Sequence, residues 1–199
     1  MKTRAAEVHR ATAETDVSVE LTLDGTGKTD INTGIGFYDH LLTAFAKHAR
    51  FDLVLRCRGD IEVDDHHTVE DCALVLGQAL DQALGDRRGI GRFGFAFAPL
   101  DEALARAVID LSGRPWAEVR LDIRRERIGA LSGENVAHAV RSLATAARLC
   151  VHLDIERGEN DHHKAEAAFK ALALALREAV SLSGFAEVPS TKGTLGVPV

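Results

Sequence analysis

Asp65-His66-His67-Thr68-Val69-Glu70 and Asp161-His162-His163-Lys164-Ala165-Glu166 are one six-residue pattern written twice, roughly half a chain apart. Where the pattern opens a helix, His66 and Glu70 stand four residues apart on one face, about 6 Å along the axis, the separation at which two side chains converge on one ion. His67 is turned from His66 by about 100° of helix rotation, so adjacent histidines serve two different ions more readily than one. This geometry leaves open whether Glu70 joins His66 or His67. The doubled motif reads as a two-metal protein built from two similar halves.

The repeat extends upstream. Phe37 to Ala49 places Leu41, Leu42, Phe45 and Ala46 at helical spacing, and Phe51 to Cys57 alternates as a strand. In the second half, Val136 to Leu149 has the helical pattern and Val151 to Ile155 the strand pattern. His40 to His66 spans 26 residues and His138 to His162 spans 24, which aligns His40 with His138. Val17 to Leu23 alternates before the turn signal Asp24-Gly25. Phe93 to Ala98, Ala103 to Leu111 and Trp116 to Ile123 have the same character, although Ala103 to Leu111 also fits a helix. Behind each histidine pair runs a helical stripe: Ala73, Leu76, Leu80 and Leu84 in one half, Phe169, Leu172, Leu176 and Val180 in the other. Burying those stripes predicts an α+β fold, a sheet with helices on one side, repeated twice. The join is expected in Gly85 to Gly91, giving half-repeats over residues 1–90 and 91–199, the second ending in a loop-like tail from Pro189 to Val199.

At 199 residues and 46% apolar, the chain can bury a core without staples. Cys57, Cys72 and Cys150 are an odd, widely spaced set, neither a disulfide framework nor a CxxC zinc pair, and suggest a reducing compartment. No apolar run has the length of a signal-peptide core or a membrane span, so the cytoplasm is expected, with no membrane partner. A net charge of −6 argues against nonspecific nucleic-acid binding but leaves room for a small anionic substrate met by a few local cations.

Six of nine histidines, His40, His66, His67, His138, His162 and His163, fall at the duplicated positions, and Glu70 and Glu166 make eight candidate ligands. Two octahedral sites, each with three imidazoles and one carboxylate, would use all eight and leave positions for substrate. Nitrogen and oxygen donors without thiolate favour manganese, iron, cobalt or zinc as a class. A single histidine near a helix start is ordinarily a capping or solvated group; repetition of the whole pattern argues for metal. Arg92, Arg114 and Lys192 lie in turns punctuated by glycine or proline where arginine forks, hydroxyls and amides could cradle phosphate, although neither a Walker loop nor a dinucleotide fingerprint is present. Glu14 sits at the edge of the first strand.

Gly34-Ile35-Gly36-Phe37-Tyr38-Asp39-His40, the Asp65 to Glu70 motif, Gly91 to Gly94, Ser112 to Pro115, Glu159 to His163 and Pro189 to Gly193 together resemble the imidazoleglycerol-phosphate dehydratase family of histidine biosynthesis. The resemblance covers nearly the whole chain, whose length fits the stand-alone enzyme. It implies a lyase that removes water from imidazole glycerol phosphate to give imidazole acetol phosphate. It implies two manganese ions per active site, held by the eight residues above. Substrate contacts are implied for His40, His48, His66, His67 and Glu70, and mainly through phosphate for Arg92, Arg114, Ser190, Thr191 and Lys192, with Glu14 beside the reacting carbons. The implied fold is a duplicated unit, each half a four-stranded mixed sheet with two helices on one face (ribosomal protein S5 domain 2-like). The implied assembly is a homo-oligomer of 24 subunits built from trimers, with sites shared between neighbours. The family usually has proline and leucine where this chain has Gly36 and Tyr38, and glutamate where it has Ala137, but no implied ligand is lost.

The implied chemistry has its own logic. The hydrogen to be removed lies beside a hydroxyl rather than a carbonyl, so a side-chain base alone faces an unacidified carbon. Cations at both ring nitrogens would favour imidazolate, which can expel the hydroxyl through a diazafulvene-like intermediate. Glu14 is the expected proton carrier, with a metal-bound carboxylate, Glu70 or Glu166, or a water as its rival. A two-metal phosphate-ester hydrolase is the enzymatic alternative. A ferritin-like store would need long helices that the intervening glycines and strand patterns argue against.

Overall fold

A computed structural model describes residues 3–195. The first half opens with strands β1 (Ala5–Ala11), β2 (Thr15–Thr22) and β3 (Thr29–Asn32), followed by helix α1 (Gly36–Ala49), strand β4 (Asp52–Gly59) and helix α2 (His66–Leu84). The second half runs β5 (Phe93–Leu100), β6 (Ala103–Asp110), β7 (Trp116–Arg120), a short hairpin β8 (Arg127–Ile128) and β9 (Leu131–Ser132), then α3 (Gly133–Ala146), β10 (Cys150–Arg157) and α4 (Asp161–Ala179). The sheets have matching orders, β1-β2-β4-β3 and β5-β6-β10-β7. In both, the first three strands in that order are antiparallel, and the edge strand before the helix joins in parallel. The expected α+β duplication is the observed fold.

Alternation decides which face of each sheet is covered. Val17, Val19 and Leu21 of β2 and Ala105, Ala107 and Ile109 of β6 point inward and are fully or almost fully buried. Helices α2 and α4 pack across these faces, while α1 contacts α4 and α3 contacts α2, so the helices of the two halves meet in the middle. Tyr38, Phe45, Leu76, Leu143, Phe169 and Leu172 crowd the junction of all four helices. Burial of each such side chain is worth about 1.5–3 kcal/mol, and the stripes predicted behind both histidine pairs are this core. Arg87, fully buried in the link after α2, ties the halves together: it pairs with Asp81 and donates to the carbonyls of Leu111, Ala147 and Arg148.

Several boundaries differ from the sequence reading. The Trp116 to Ile123 strand stops at Arg120, before Asp122 takes a left-handed φ of 47°. Helix α3 starts three residues early, at Gly133, and ends at Ala146, leaving Leu149 buried in the connection to β10. Strands β1 and β3 and the β8–β9 hairpin were not foreseen: β1 and β3 are half-exposed edge strands without a buried face, and the hairpin strands have two residues each. From Pro189 to Leu195 the tail has neither helix nor strand, as expected; residues 196–199 of that stretch lie outside the described residues.

Candidate metal centre

Each Asp-His-His motif begins its helix, and its aspartate is structural. The Asp65 carboxylate accepts the Ser132 N–H and O–H, both at 2.6 Å, which fixes the start of α3 beside the start of α2. Burial works to raise the Asp65 pKa, but these bonds outweigh it and hold the carboxyl below its usual value. Asp161 accepts the backbone N–H groups of Arg124 and Arg125 at 3.0 and 2.8 Å and pairs with buried Lys164 at 2.6 Å. Asn160 caps α4 by accepting the His162 N–H at 2.9 Å.

The helices then bring together two clusters. His66 and Glu70 of α2 face His138 of α3: His138 Nε2 is 3.2 Å from Glu70 Oε1, and the rings of His66 and His138 stack with centroids 4.7 Å apart. His162 and Glu166 of α4 face His40 of α1: His40 Nε2 is 2.8 Å and His162 Nε2 is 3.4 Å from Glu166 Oε2. In each cluster one donor atom from every residue lies within 4.8 Å of the others. Two atoms ligating one ion at about 2.1 Å lie no more than about 4.2 Å apart, so both clusters fit a shared cation with little adjustment. Their nitrogen–oxygen donor sets, free of thiolate, suit the metal class expected from the sequence. Glu70 therefore joins His66 rather than His67, and each cluster combines the motif of one half with the duplicated histidine of the other.

The clusters are not identical. Lys170, one turn after Glu166, holds its other oxygen at 2.6 Å. Burial pushes the Glu166 carboxyl up, but Lys170 and His40 outweigh it and bring it to about 2. His66 Nδ1 faces the carbonyl oxygen of buried Asn135 at 3.3 Å, whereas the ring of its counterpart His162 packs on Phe37, centroids 4.8 Å apart.

Among the described residues, each cluster gathers two of the three imidazoles expected from the sequence, with one carboxylate. His67 and His163 leave the clusters because helix rotation turns each from its neighbour, with ring centroids 6.1 Å apart. His67 Nδ1 meets Asp60 at 3.0 Å and His163 Nδ1 meets Glu102 at 2.7 Å; these carboxylates raise both imidazole pKa values. Glu14, in the β1–β2 turn, has Oε1 3.7 Å from His67 Nε2. His48, half-buried on α1, has its pKa lowered by burial and then by Lys170.

Four of the candidate phosphate residues, Arg92, Ser190, Thr191 and Lys192, neighbour one another. Arg92, at a left-handed φ of 68°, is held by Asp110 through two bonds of 2.7 and 3.1 Å and donates to the Pro189 carbonyl at 2.8 Å. It lines a cleft with Ser190 and Thr191. Lys192 and Ser190 share a turn, with the Lys192 N–H 3.2 Å from Ser190 Oγ, and Arg114 is exposed beyond β6. The Arg92 N–H bonds the Ala179 carbonyl at the far end of α4, and the 13-residue step from Glu166 to Ala179 spans about 20 Å of helix. Within one chain, the Arg92 backbone and the α4 cluster are thus well separated.

Asp60, Glu102, Asn135 and Lys170 were missed by the sequence reading. Only Lys170 carried a local signal, four residues after Glu166; the other contacts depend on pairings no periodicity reveals.

Residues 33–176 match the family model described as imidazoleglycerol-phosphate dehydratase. A relative of that name from Salinibacter ruber is 58% identical over 193 residues, covering 96% of both chains. One from Phytophthora nicotianae is also 58% identical, over 192 residues and 96% of this chain, which spans 42% of that relative's length. The crystal structure of the Staphylococcus aureus imidazoleglycerol-phosphate dehydratase superposes with a TM-score of 0.81 at 35% identity, covering 89% of this chain and 99% of that one. The Pyrococcus furiosus structure, in complex with (S)-C348, gives 0.82 at 37% identity over 94% and 100%. With its duplicated sheets, its paired histidine clusters and these full-length likenesses, the chain belongs to the imidazoleglycerol-phosphate dehydratase family.

Proposed function

We propose that this protein dehydrates imidazole glycerol phosphate to imidazole acetol phosphate in histidine biosynthesis, as a cytoplasmic, manganese-dependent enzyme. The observation that carries the reading is the pair of imidazole–imidazole–carboxylate clusters, His66–Glu70–His138 and His40–His162–Glu166. These residues would hold two manganese ions, with His67 and His163 completing the ligand sets. When bound there, the ions would supply electrostatic stabilisation for negative charge gathering on the substrate's imidazole ring as the hydroxyl departs.

The chain's own groups do the rest. Arg92 uses three of its five N–H bonds on Asp110 and Pro189, leaving two for phosphate oxygens. Ser190, Thr191, Lys192 and Arg114 complete the phosphate contacts, and His48 borders the substrate. Glu14, exposed beside His67, takes the proton from the carbon next to the departing hydroxyl. Separation of the Arg92 backbone from the α4 cluster, and the outward turn of His67 and His163, support sites shared between copies, in a 24-subunit assembly of trimers. Among the described residues, no helix is long and apolar enough to cross a membrane.

Product analysis tests the proposal. An unhydrolysed ketone phosphate is the expected product; released inorganic phosphate would instead support a two-metal hydrolase. A Glu14→Gln protein with full metal content should lose most turnover, and near-normal turnover would exclude Glu14 as the proton carrier.

A further inference from the structure

Duplication places two glutamates at the same point of the fold. Glu14 immediately precedes β2 and Glu102 immediately precedes β6, each at the end of the turn joining the first two strands of its half. Both face the second histidine of a motif, yet their bonds differ. Glu102 Oε2 is 2.7 Å from His163 Nδ1, and its other oxygen accepts the N–H groups of Asn160 and Glu159 at 2.8 and 3.2 Å. The Glu14 carboxylate instead lies on the Nε2 side of His67, at 3.7 Å. The Nδ1 bond of His67 goes to Asp60, in the loop between β4 and α2, at 3.0 Å.

A neutral imidazole has one N–H and one lone pair, and a carboxylate at Nδ1 places the proton there. Nε2 is then the donor nitrogen. Asn135 does the same for His66 with a neutral acceptor. Resting on the reading that His67 and His163 donate to cations, we propose that Asp60 and Glu102 are positioning residues. They fix the Nδ1–H forms of His67 and His163 and aim both Nε2 atoms at the metal. Because Asp60 takes this duty in the first half, Glu14 is released to act on substrate, while its counterpart Glu102 is fully engaged. On the second half the Nε2 side of His163 is faced by Asp101, at 3.9 Å.

The test is manganese affinity of the full chain, followed by the electron paramagnetic resonance signal of free manganese. Asp60→Ala and Glu102→Ala are each expected to weaken binding by about 10- to 100-fold, the usual effect of removing a partner of a metal-bound histidine. Asp60→Asn keeps a carbonyl acceptor for Nδ1 and should recover most of the affinity, a rescue that simple loosening of the loop would not show. Parental affinity in both alanine variants, or Asp60→Asn as weak as Asp60→Ala, overturns the proposal. A parent protein that takes up no manganese would instead overturn the metal reading beneath it.

Discussion

Replacing Gly77 by alanine should separate α2 from α3 and thereby weaken the His66–Glu70–His138 cluster that the two helices share. A Cβ at this position would lie 2.6 Å from the Leu143 carbonyl oxygen, 2.7 Å from the Ala146 methyl and 3.0 Å from the Ala147 nitrogen. Ordinary carbon contacts fall at about 3.5–4.0 Å, so the helices must part by about 1 Å. Forcing a methyl into a packed interface costs about 1–3 kcal/mol, against a gain of about 1 kcal/mol from alanine's better helix propensity. Gly36→Ala is the control, because a Cβ there meets nothing within 4 Å. Because Gly36 lies in α1 and its alanine variant shares the propensity gain, Gly77→Ala should be less stable than Gly36→Ala by about 1–3 kcal/mol, or about 2–12 °C in thermal midpoint, measured metal-free at fixed protein concentration. A midpoint for Gly77→Ala equal to or above that of Gly36→Ala would refute the close-approach argument. Parental manganese affinity despite a lowered midpoint would refute its link to the cluster.

Tyr38→Phe removes the hydroxyl that donates to the Val69 carbonyl at 3.3 Å within the core and should cost about 0.5–1.5 kcal/mol in denaturant unfolding. The Asp65 carboxyl is held below its unfolded value of about 3.9, so its contribution is complete above that pH and is lost as pH falls through the folded value. Metal-free Asp65→Asn should accordingly show a flatter acid limb by circular dichroism below about pH 4 than the parent, and parallel limbs would count against the Ser132 clasp. Arg92→Lys forfeits the two-bond grip of Asp110 and should raise KM at least about 10-fold with a smaller change in kcat.

Legibility in the sequence followed periodicity. Helices α1, α2 and α4 and strands β2, β4, β5, β6 and β10 declare themselves because each buries one face. The half-exposed edge strand β1 alternates without burying a face, and β3 has only four residues. The two ligand motifs were legible because the whole pattern repeats at helical spacing, although which histidine of each pair joins its glutamate was not. Nor was pairing across the halves: His40 reaches Glu166 across 126 residues, a contact fixed by how α1 lies on α4. Glu102 was invisible for a different reason, since its equivalence to Glu14 appears only once the strand boundaries after both turns are known.

The most direct test of the two-cluster account is turnover of imidazole glycerol phosphate by metal-stripped, reassembled protein during manganese titration. The account predicts no ketone phosphate without metal and activity that rises to saturation with two manganese ions bound per active site. Full turnover in the stripped protein, or none after folded and assembled protein has taken up manganese, would contradict it.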